Sequence, residues 1–337
     1  MTSIKFSNTS TDFYFASSIS KLEEIIDIKN AVLITDENVF NAHSKRFKNY
    51  NTIVLKAGEK YKVQQTVDSI IDQLIESGAD RKTILVGIGG GVITDITGYA
   101  ASVFLRGIKF GFIPTTILGL VDASIGGKNG IDVGVYKNMI GTIKQPSFIL
   151  HDISFLKSLP EDEWHNGFAE IIKHACIKDA AMFAELEQNS FEKYRRNKTL
   201  LSKLIQRNAL LKCKVVQQDE FETGDRKLLN FGHTLGHAIE NTLQIKHGHA
   251  VSIGIAAAAK ISKQIFGFKD AEKVTALLQK YYLPITAKFN TDKTLEIMLS
   301  DKKNFGGSIH YVLLKKIGKA AIHALQIDEV KDLLIGN

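Results

Sequence analysis

Over the first half of the chain, short apolar runs alternate with helical patterns. Residues 31–39 (AVLITDENV) open as an unbroken apolar run and leave through polar loop residues, which predicts a buried strand. Residues 51–62 (NTIVLKAGEKYK) predict a second short strand and then a charged loop. In VQQTVDSIIDQLIESGAD, Val67, Ile70, Ile71, Leu74 and Ile75 fall at helical spacing and Gly78 supplies a stop. KTILVGIGGG then reads as a strand entering a glycine loop, and VITDITGYAASVF as the helix that follows. Such alternation predicts a parallel, doubly wound α/β sheet.

The pattern changes near Pro160. Long amphipathic stretches dominate at residues 163–177, 180–192, 198–216 and 236–243, and SIHYVLLKKIGKAAIHAL predicts a small hairpin turning at Gly318. The expected organisation is an α/β domain over residues 1–158 and a mainly α-helical domain over 159–337, with the active site in the interdomain cleft.

Composition narrows the class. Hydrophobic content of 44% and charged content of 23% are ordinary for a globular protein, and only four prolines interrupt the chain. The opening MTSIKFSNTSTDFYF has no basic segment followed by an apolar run, so no secretory signal is expected, and no stretch is apolar enough to span a membrane. Cys176 and Cys213 are the only cysteines, too few for a disulfide framework and compatible with the cytoplasm. The net charge of +7 fits nucleic acid or anionic small molecules, but the lysines are dispersed and no nucleic-acid motif accompanies them.

Candidate chemistry gathers in three places. GIGGGVITD carries Gly90, Gly91, Val92 and Asp95 between a strand and a helix, a setting in which backbone amides approach a pyrophosphate. The spacing is not G-x-G-x-x-G, and a structural tight turn is the competing reading. Asp36 and Asn38, at the end of a buried strand, are ribose or adenine contacts or ordinary turn residues. The segment 104–146 places Arg106, Asp122, Lys128, Lys137 and Asn138 among glycines and small residues suited to close ligand approach. Finally, LNFGHTLGHAIENTLQIKHGHAV holds four of the ten histidines: His233, His237, His247 and His249. These are metal ligands, acid/base groups, phosphate-binding cations or satisfied core residues. On spacing alone His233 and His237, four residues apart on a helix, make a ligand pair.

GGGVITDITGYAAS, LRG, IPTT, VDASIGGK, KNMIG, GFAEIIKHACI, LLNFGHTLGHAIE and HGHAV occur in this order, and together they resemble the 3-dehydroquinate synthase family from about Asp36 to Gly318. The resemblance implies a Rossmann-like N-terminal domain, a helical C-terminal domain, a homodimer, NAD and a divalent metal, generally zinc with cobalt as an alternative. It replaces the spacing-based ligand pair with Glu170, His233 and His247, and moves His237 to the substrate side. Lys173, Lys212, Arg226 and Asn230 match substrate-site positions, Arg226 suiting a carboxylate. Lys128, Asn230, His237 and Lys302 or Lys303 of DKKN are expected around phosphate and carboxylate, and Arg106 resembles a residue reaching a phosphate across the dimer interface. Glu59, Lys62, Asp95, Thr115, Thr116, Lys128, Lys137, Phe155 and Ser158 fall at NAD-contact positions.

The substrate so implied is a phosphorylated keto-acid, 3-deoxy-D-arabino-heptulosonate 7-phosphate, transiently oxidised by NAD, relieved of phosphate and closed to a carbocycle. Neither nucleic acid nor membrane is an expected partner. His249 departs from the commoner HGEAV pattern, FLKS replaces FLxT, and GGKNGID varies the segment after Lys128. Other sugar-phosphate cyclases share the scaffold but lose substrate-site positions, whereas Arg226, Asn230, His237 and the DKK lysines are present here. An iron-dependent alcohol or glycerol-1-phosphate dehydrogenase is the competing enzyme; a basic NAD-sensing or nucleic-acid-binding protein would need no Glu170, His233 and His247.

Overall fold

The computed structural model describes residues 1–134, 136–300 and 308–335. Strands run β1 Thr2–Lys5, β2 Ser10–Tyr14, β3 Ala31–Asp36, β4 Asn51–Leu55, β5 Ile84–Gly89, β6 Lys109–Pro114, β7 Lys128–Val133, β8 Tyr136–Ile143, β9 Phe148–Leu150, β10 Ser308–Lys316 and β11 Lys319–Gln326. Helices are α1 Leu22–Ile25, α2 Glu37–His43, α3 Gln64–Glu76, α4 Gly91–Val103, α5 Glu161–Lys178, α6 Ala180–Gln188, α7 Phe191–Arg196, α8 Lys198–Gln218, α9 His233–Leu243, α10 His247–Phe266, α11 Ala271–Lys280, α12 Thr291–Ser300 and α13 Ile327–Ile335.

The chain forms two compact units, Met1–Trp164 with Ser202–Phe221, and His165–Leu201 with Glu222–Asn337. The first is built on a seven-stranded sheet of order β1-β2-β9-β6-β5-β3-β4, parallel except for the β1–β2 pair. Every residue of β5 is buried and β3 is buried up to Asp36, as expected of strands covered on both faces. Helix α3 buries Val67, Ile70 and Leu74. Ile75, on the same apolar pattern in sequence, is exposed: one residue past Leu74, it turns about 100° away from the buried stripe. Residues 202–221 belong with the sheet because Ala209, Cys213 and Val216 of α8 pack into the core that contains Phe6, Phe13, Leu85 and Phe110.

The second unit is mainly helical and carries the antiparallel β10–β11 hairpin before its last helix, α13. Helices α9 and α10 meet closely: a Cβ on Gly254 would lie 1.9 Å from the Gly232 carbonyl oxygen. The pattern over residues 180–192 is split rather than continuous. Helix α6 ends at Gln188, and Ser190 caps α7 by accepting from the Lys193 amide. Among the described residues, no helix is long and apolar enough to cross a membrane.

One buried residue of the first unit sets an acid limit. His151, 1% exposed, lies edge-on to Phe13 and Phe15. Burial lowers its imidazole to about 3. An unfolded chain takes up this proton near the ordinary value of 6.5, whereas the folded chain resists it down to about 3, so stability falls as pH drops through that window. His151→Leu should remove the loss: relative to wild type, the variant should gain about 2 kcal/mol between pH 7 and pH 5. Urea unfolding at the two pH values checks this, and parallel pH profiles would contradict it.

Candidate active site

In the second unit, three elements place donor atoms together. Glu170 lies on α5 with no exposure, flanked by Phe168, Ala169, Ile171 and Ile172, all buried. His233 is the first residue of α9 and His247 the first of α10. Their Nε2 atoms each stand 3.5 Å from Glu170 Oε1. The remaining nitrogens are engaged: His233 Nδ1 is 3.2 Å from the Phe231 carbonyl oxygen and His247 Nδ1 is 3.1 Å from Glu240 Oε2.

Helix starts explain how two histidines reach one carboxylate. Gly232 is left-handed, with φ of 79°, and turns the chain into α9 directly before His233. Helix α10 has no side-chain cap from its own N-cap residue Lys246; instead the Gly248 amide donates to Asn166 Oδ1 of α5 at 2.5 Å. The helix that carries Glu170 therefore also caps the helix that begins with His247.

One carboxylate and two imidazoles, their ligand atoms within 4.8 Å of one another, suit a divalent cation and leave coordination positions for substrate oxygens. Burial and the Lys173 ammonium hold the His233 imidazole well below its ordinary value, so it offers a neutral nitrogen. Burial also pushes His247 down, but hydrogen bonds to Glu170 and Glu240 outweigh it and raise the imidazole to about 10. Lys173 ion-pairs with Glu170 one turn away, and both are buried rather than on a solvent-facing stripe.

His237 is on the same face of α9 as His233, their ring centroids 5.0 Å apart, and lies 5.9 Å from the His247 ring. His237, Glu240 and His247 form a second, overlapping donor group. Arg226 is 3% exposed, and Asn230 Nδ2 donates to Glu222 Oε1 at 2.8 Å. His249 sits half-buried on the first turn of α10, and nothing in the structure explains its departure from the commoner glutamate. Lys302 and Lys303 lie outside the described residues.

In the first unit, β5 ends at Gly89 and α4 begins at Gly91, so the amides of this helix start face the glycine turn. The Thr115 amide donates to the Gly89 carbonyl at 2.9 Å, and Thr116 Oγ1 accepts from the Gly119 amide at 2.9 Å. Asp95, on α4, meets Lys62 Nζ at 2.5 Å, and that ammonium also donates to Asn138 Oδ1 at 2.6 Å. Burial pushes Lys62 down, but the charges of Asp95 and Glu59 win and hold it above an ordinary lysine. Lys137 stands 3.7 Å from Glu59. Thus Glu59, Lys62, Asp95, Lys137 and Asn138 are neighbours.

Asp122 lies in a π turn, Gly119–Ala123, with Oδ1 2.7 Å from Lys212 Nζ of α8. Lys128 is the exposed first residue of β7, and Arg106, at φ of 65°, follows α4. Asp36 caps α2, accepting from the Asn38 and Val39 amides at 2.9 and 3.0 Å, which is the turn role weighed for this pair. Phe155 is buried beneath the Arg46 guanidinium, and Ser158 Oγ is 2.7 Å from His43 Nε2.

Sequence reasoning missed Glu240, Asn166, Glu222 and Asp132, whose carboxylate accepts from the Asn138 amide at 2.7 Å. Only Glu240 had a local signal: it shares the helix face of His233 and His237.

The fold and a buried carboxylate–imidazole group define a class, that of two-domain α/β-plus-helical enzymes. The structure superposes on 2-epi-5-epi-valiolone synthase from Streptomyces hygroscopicus with a TM-score of 0.89 and 26% identity, covering 100% of this chain and 98% of that one. It shares its fold with an iron-containing alcohol dehydrogenase at a TM-score of 0.67 and 16% identity, covering 98% of each chain. The family models for the N- and C-terminal parts of 3-dehydroquinate synthase match residues 52–166 and 167–304. The 3-dehydroquinate synthase of Leptospira interrogans is 39% identical over 327 residues, 92% of this chain and 90% of that protein. That of Thermodesulfovibrio yellowstonii is 40% identical over 314 residues, covering 91% and 87%. The chain belongs to the 3-dehydroquinate synthase family, lyases of the shikimate pathway, and its function is that of the family.

Proposed function

We propose that the chain converts 3-deoxy-D-arabino-heptulosonate 7-phosphate to 3-dehydroquinate and phosphate as a cytoplasmic homodimer. The observation that carries this reading is the buried Glu170, His233 and His247 group in a chain 39% identical to a 3-dehydroquinate synthase. Those three residues would hold a divalent metal, with zinc favoured and cobalt as an alternative, and the glycine turn at Gly90 and Gly91 with Asp95 and Lys62 would hold NAD. The valiolone synthase neighbour is described with NAD+ and Zn2+ bound, which supports both assignments. When bound, the metal polarises alcohol and carbonyl oxygens while NAD supplies a reversible oxidation.

The chain's own residues bind and orient. Arg226, buried, offers a planar fork for the substrate carboxylate. Lys128, Asn230 and His237 supply cationic and polar contacts for the phosphate, and Lys173 and Lys212 add positive charge from buried positions. Asp122 orients the Lys212 ammonium from 2.7 Å. Incubation with the heptulosonate phosphate, NAD and zinc should release phosphate and dehydroquinate in equal amounts without accumulating NADH. Net NADH without phosphate would overturn the reading.

Dimerisation is supported by exposed apolar side chains in the first unit. Val133, Tyr136, Met139, Ile140 and Ile143 of the β7–β8 hairpin are all 42–59% exposed, as is Leu105 at 42%. Thr142 Oγ1 bonds Ser102 Oγ at 3.1 Å, tying β8 to the end of α4 beside Leu105 and Arg106. Exposed apolar residues of this kind support an interface here, and Arg106, next to Leu105, suits a phosphate held by the partner subunit. Ile140→Asp should raise the dimer dissociation constant at least about 30-fold, equivalent to about 2 kcal/mol. Sedimentation equilibrium reads this; an unchanged dimer would place the interface elsewhere.

A further inference from the structure

His247 presents its two ring nitrogens to two different carboxylates, Nε2 toward Glu170 Oε1 at 3.5 Å and Nδ1 toward Glu240 Oε2 at 3.1 Å. His233 is arranged in parallel, with Nε2 3.5 Å from Glu170 and Nδ1 3.2 Å from the Phe231 carbonyl. In both rings an acceptor takes Nδ1–H and leaves Nε2 for a cation beside Glu170. The acceptors differ in kind. For His233 it is a neutral backbone oxygen two residues away, so the ring is oriented by its own helix start. For His247 it is a carboxylate on another helix, 6% exposed and therefore kept among protein atoms rather than water.

Residues 233, 237 and 240 fall on one face of α9 by their spacing of four and three. From this geometry we infer that Glu240 is the positioning residue for His247, fixing its tautomer and aiming Nε2 at the metal site; this rests on Glu170, His233 and His247 being the ligands. Helix α9 then contributes one ligand directly and sets the orientation of another carried by α10. The competing role is membership of the overlapping group of His237, Glu240 and His247 as a ligand. The hydrogen bond opposes it, because an imidazole donating Nδ1–H to Glu240 has only Nε2 to give a cation, and Nε2 faces Glu170.

The test is Co2+ affinity of the full-length protein, read by absorption in competition with a chelator, for wild type and the variants Glu240→Gln, Glu240→Ala, His237→Ala and His233→Ala. Removing an outer-shell partner of a ligating histidine should weaken Co2+ about 10–100-fold in Glu240→Ala. Glu240→Gln keeps an acceptor oxygen at Nδ1, so it should recover part of the loss, and it is the isosteric control should the alanine variant fold poorly. His237→Ala should bind Co2+ as wild type does. Wild-type affinity in both Glu240 variants would overturn the inference, as would equal collapse in Glu240→Gln and His237→Ala, which would make Glu240 a ligand. Unchanged affinity in His233→Ala, or no binding by wild type, would instead overturn the ligand assignment on which the inference rests.

Discussion

His233→Ala should lose metal and phosphate release together while keeping its fold. The residue supplies one of the two imidazole nitrogens beside Glu170, and its ring is 11% exposed, so its removal leaves the buried carboxylate without half of its imidazole partners. Metal polarisation is worth several kcal/mol in the rate-determining state, which makes the expected loss of turnover about 1,000-fold or greater. Metal content after dialysis, phosphate release and the melting curve together decide the matter. Turnover at the wild-type rate with no bound metal would show that the site lies elsewhere.

Gly248→Ala should be a severely damaging change for a single added methyl group. A Cβ there would stand 2.1 Å from the Asn166 carbonyl oxygen and 2.7 Å from its side-chain oxygen. The backbone atom cannot swing aside as a flexible side chain would, so α5 and α10 must separate. Overpacking of this kind costs about 3 kcal/mol, lowering the melting temperature by about 6–12 °C. The same movement withdraws His247 from Glu170, so metal affinity should fall alongside stability. A variant that melts and binds metal as wild type does would show that the contact relaxes locally.

Much of the fold was legible because its strongest signals are local. The unbroken apolar runs of β3 and β5 are what strands covered on both faces require, and Val67, Ile70 and Leu74 mark the buried side of α3. The glycine-rich segment after Arg106 was not legible in this way. It folds as β6, a π turn and the β7–β8 hairpin, with Asn138 left-handed at φ of 53° and held by Asp132 and Lys62. Asp132 lies six residues away across the hairpin, but Lys62 lies 76 residues away, outside any local window of sequence. Helix α10 was read only as the motif HGHAV, since its small residues at Gly254, Ala256, Ala258 and Ala259 face neighbours on several sides and leave little amphipathic pattern.

The histidine cluster was visible, but not its division of labour. Spacing on one helix favoured His233 with His237, whereas the atoms nearest the Glu170 carboxylate belong to His233 and His247, on two helices. The family resemblance supplied that pairing. Glu240 sat in plain view three residues after His237, yet its partner is seven residues onward across a turn.

The placement of residues 202–221 with the sheet also bears on how the protein is made. The core around Leu85 and Phe110 is closed in part by Ala209, Cys213 and Val216, so a nascent chain that has emerged only as far as Trp164 carries a core still partly uncovered. The intervening stretch from His165 to Leu201 belongs to the other unit, and its packing partners from Glu222 onward are synthesised later still. Neither half can finish folding on the ribosome before the other has begun. The late arrival of α8 therefore leaves part of this core open until synthesis has passed Val216.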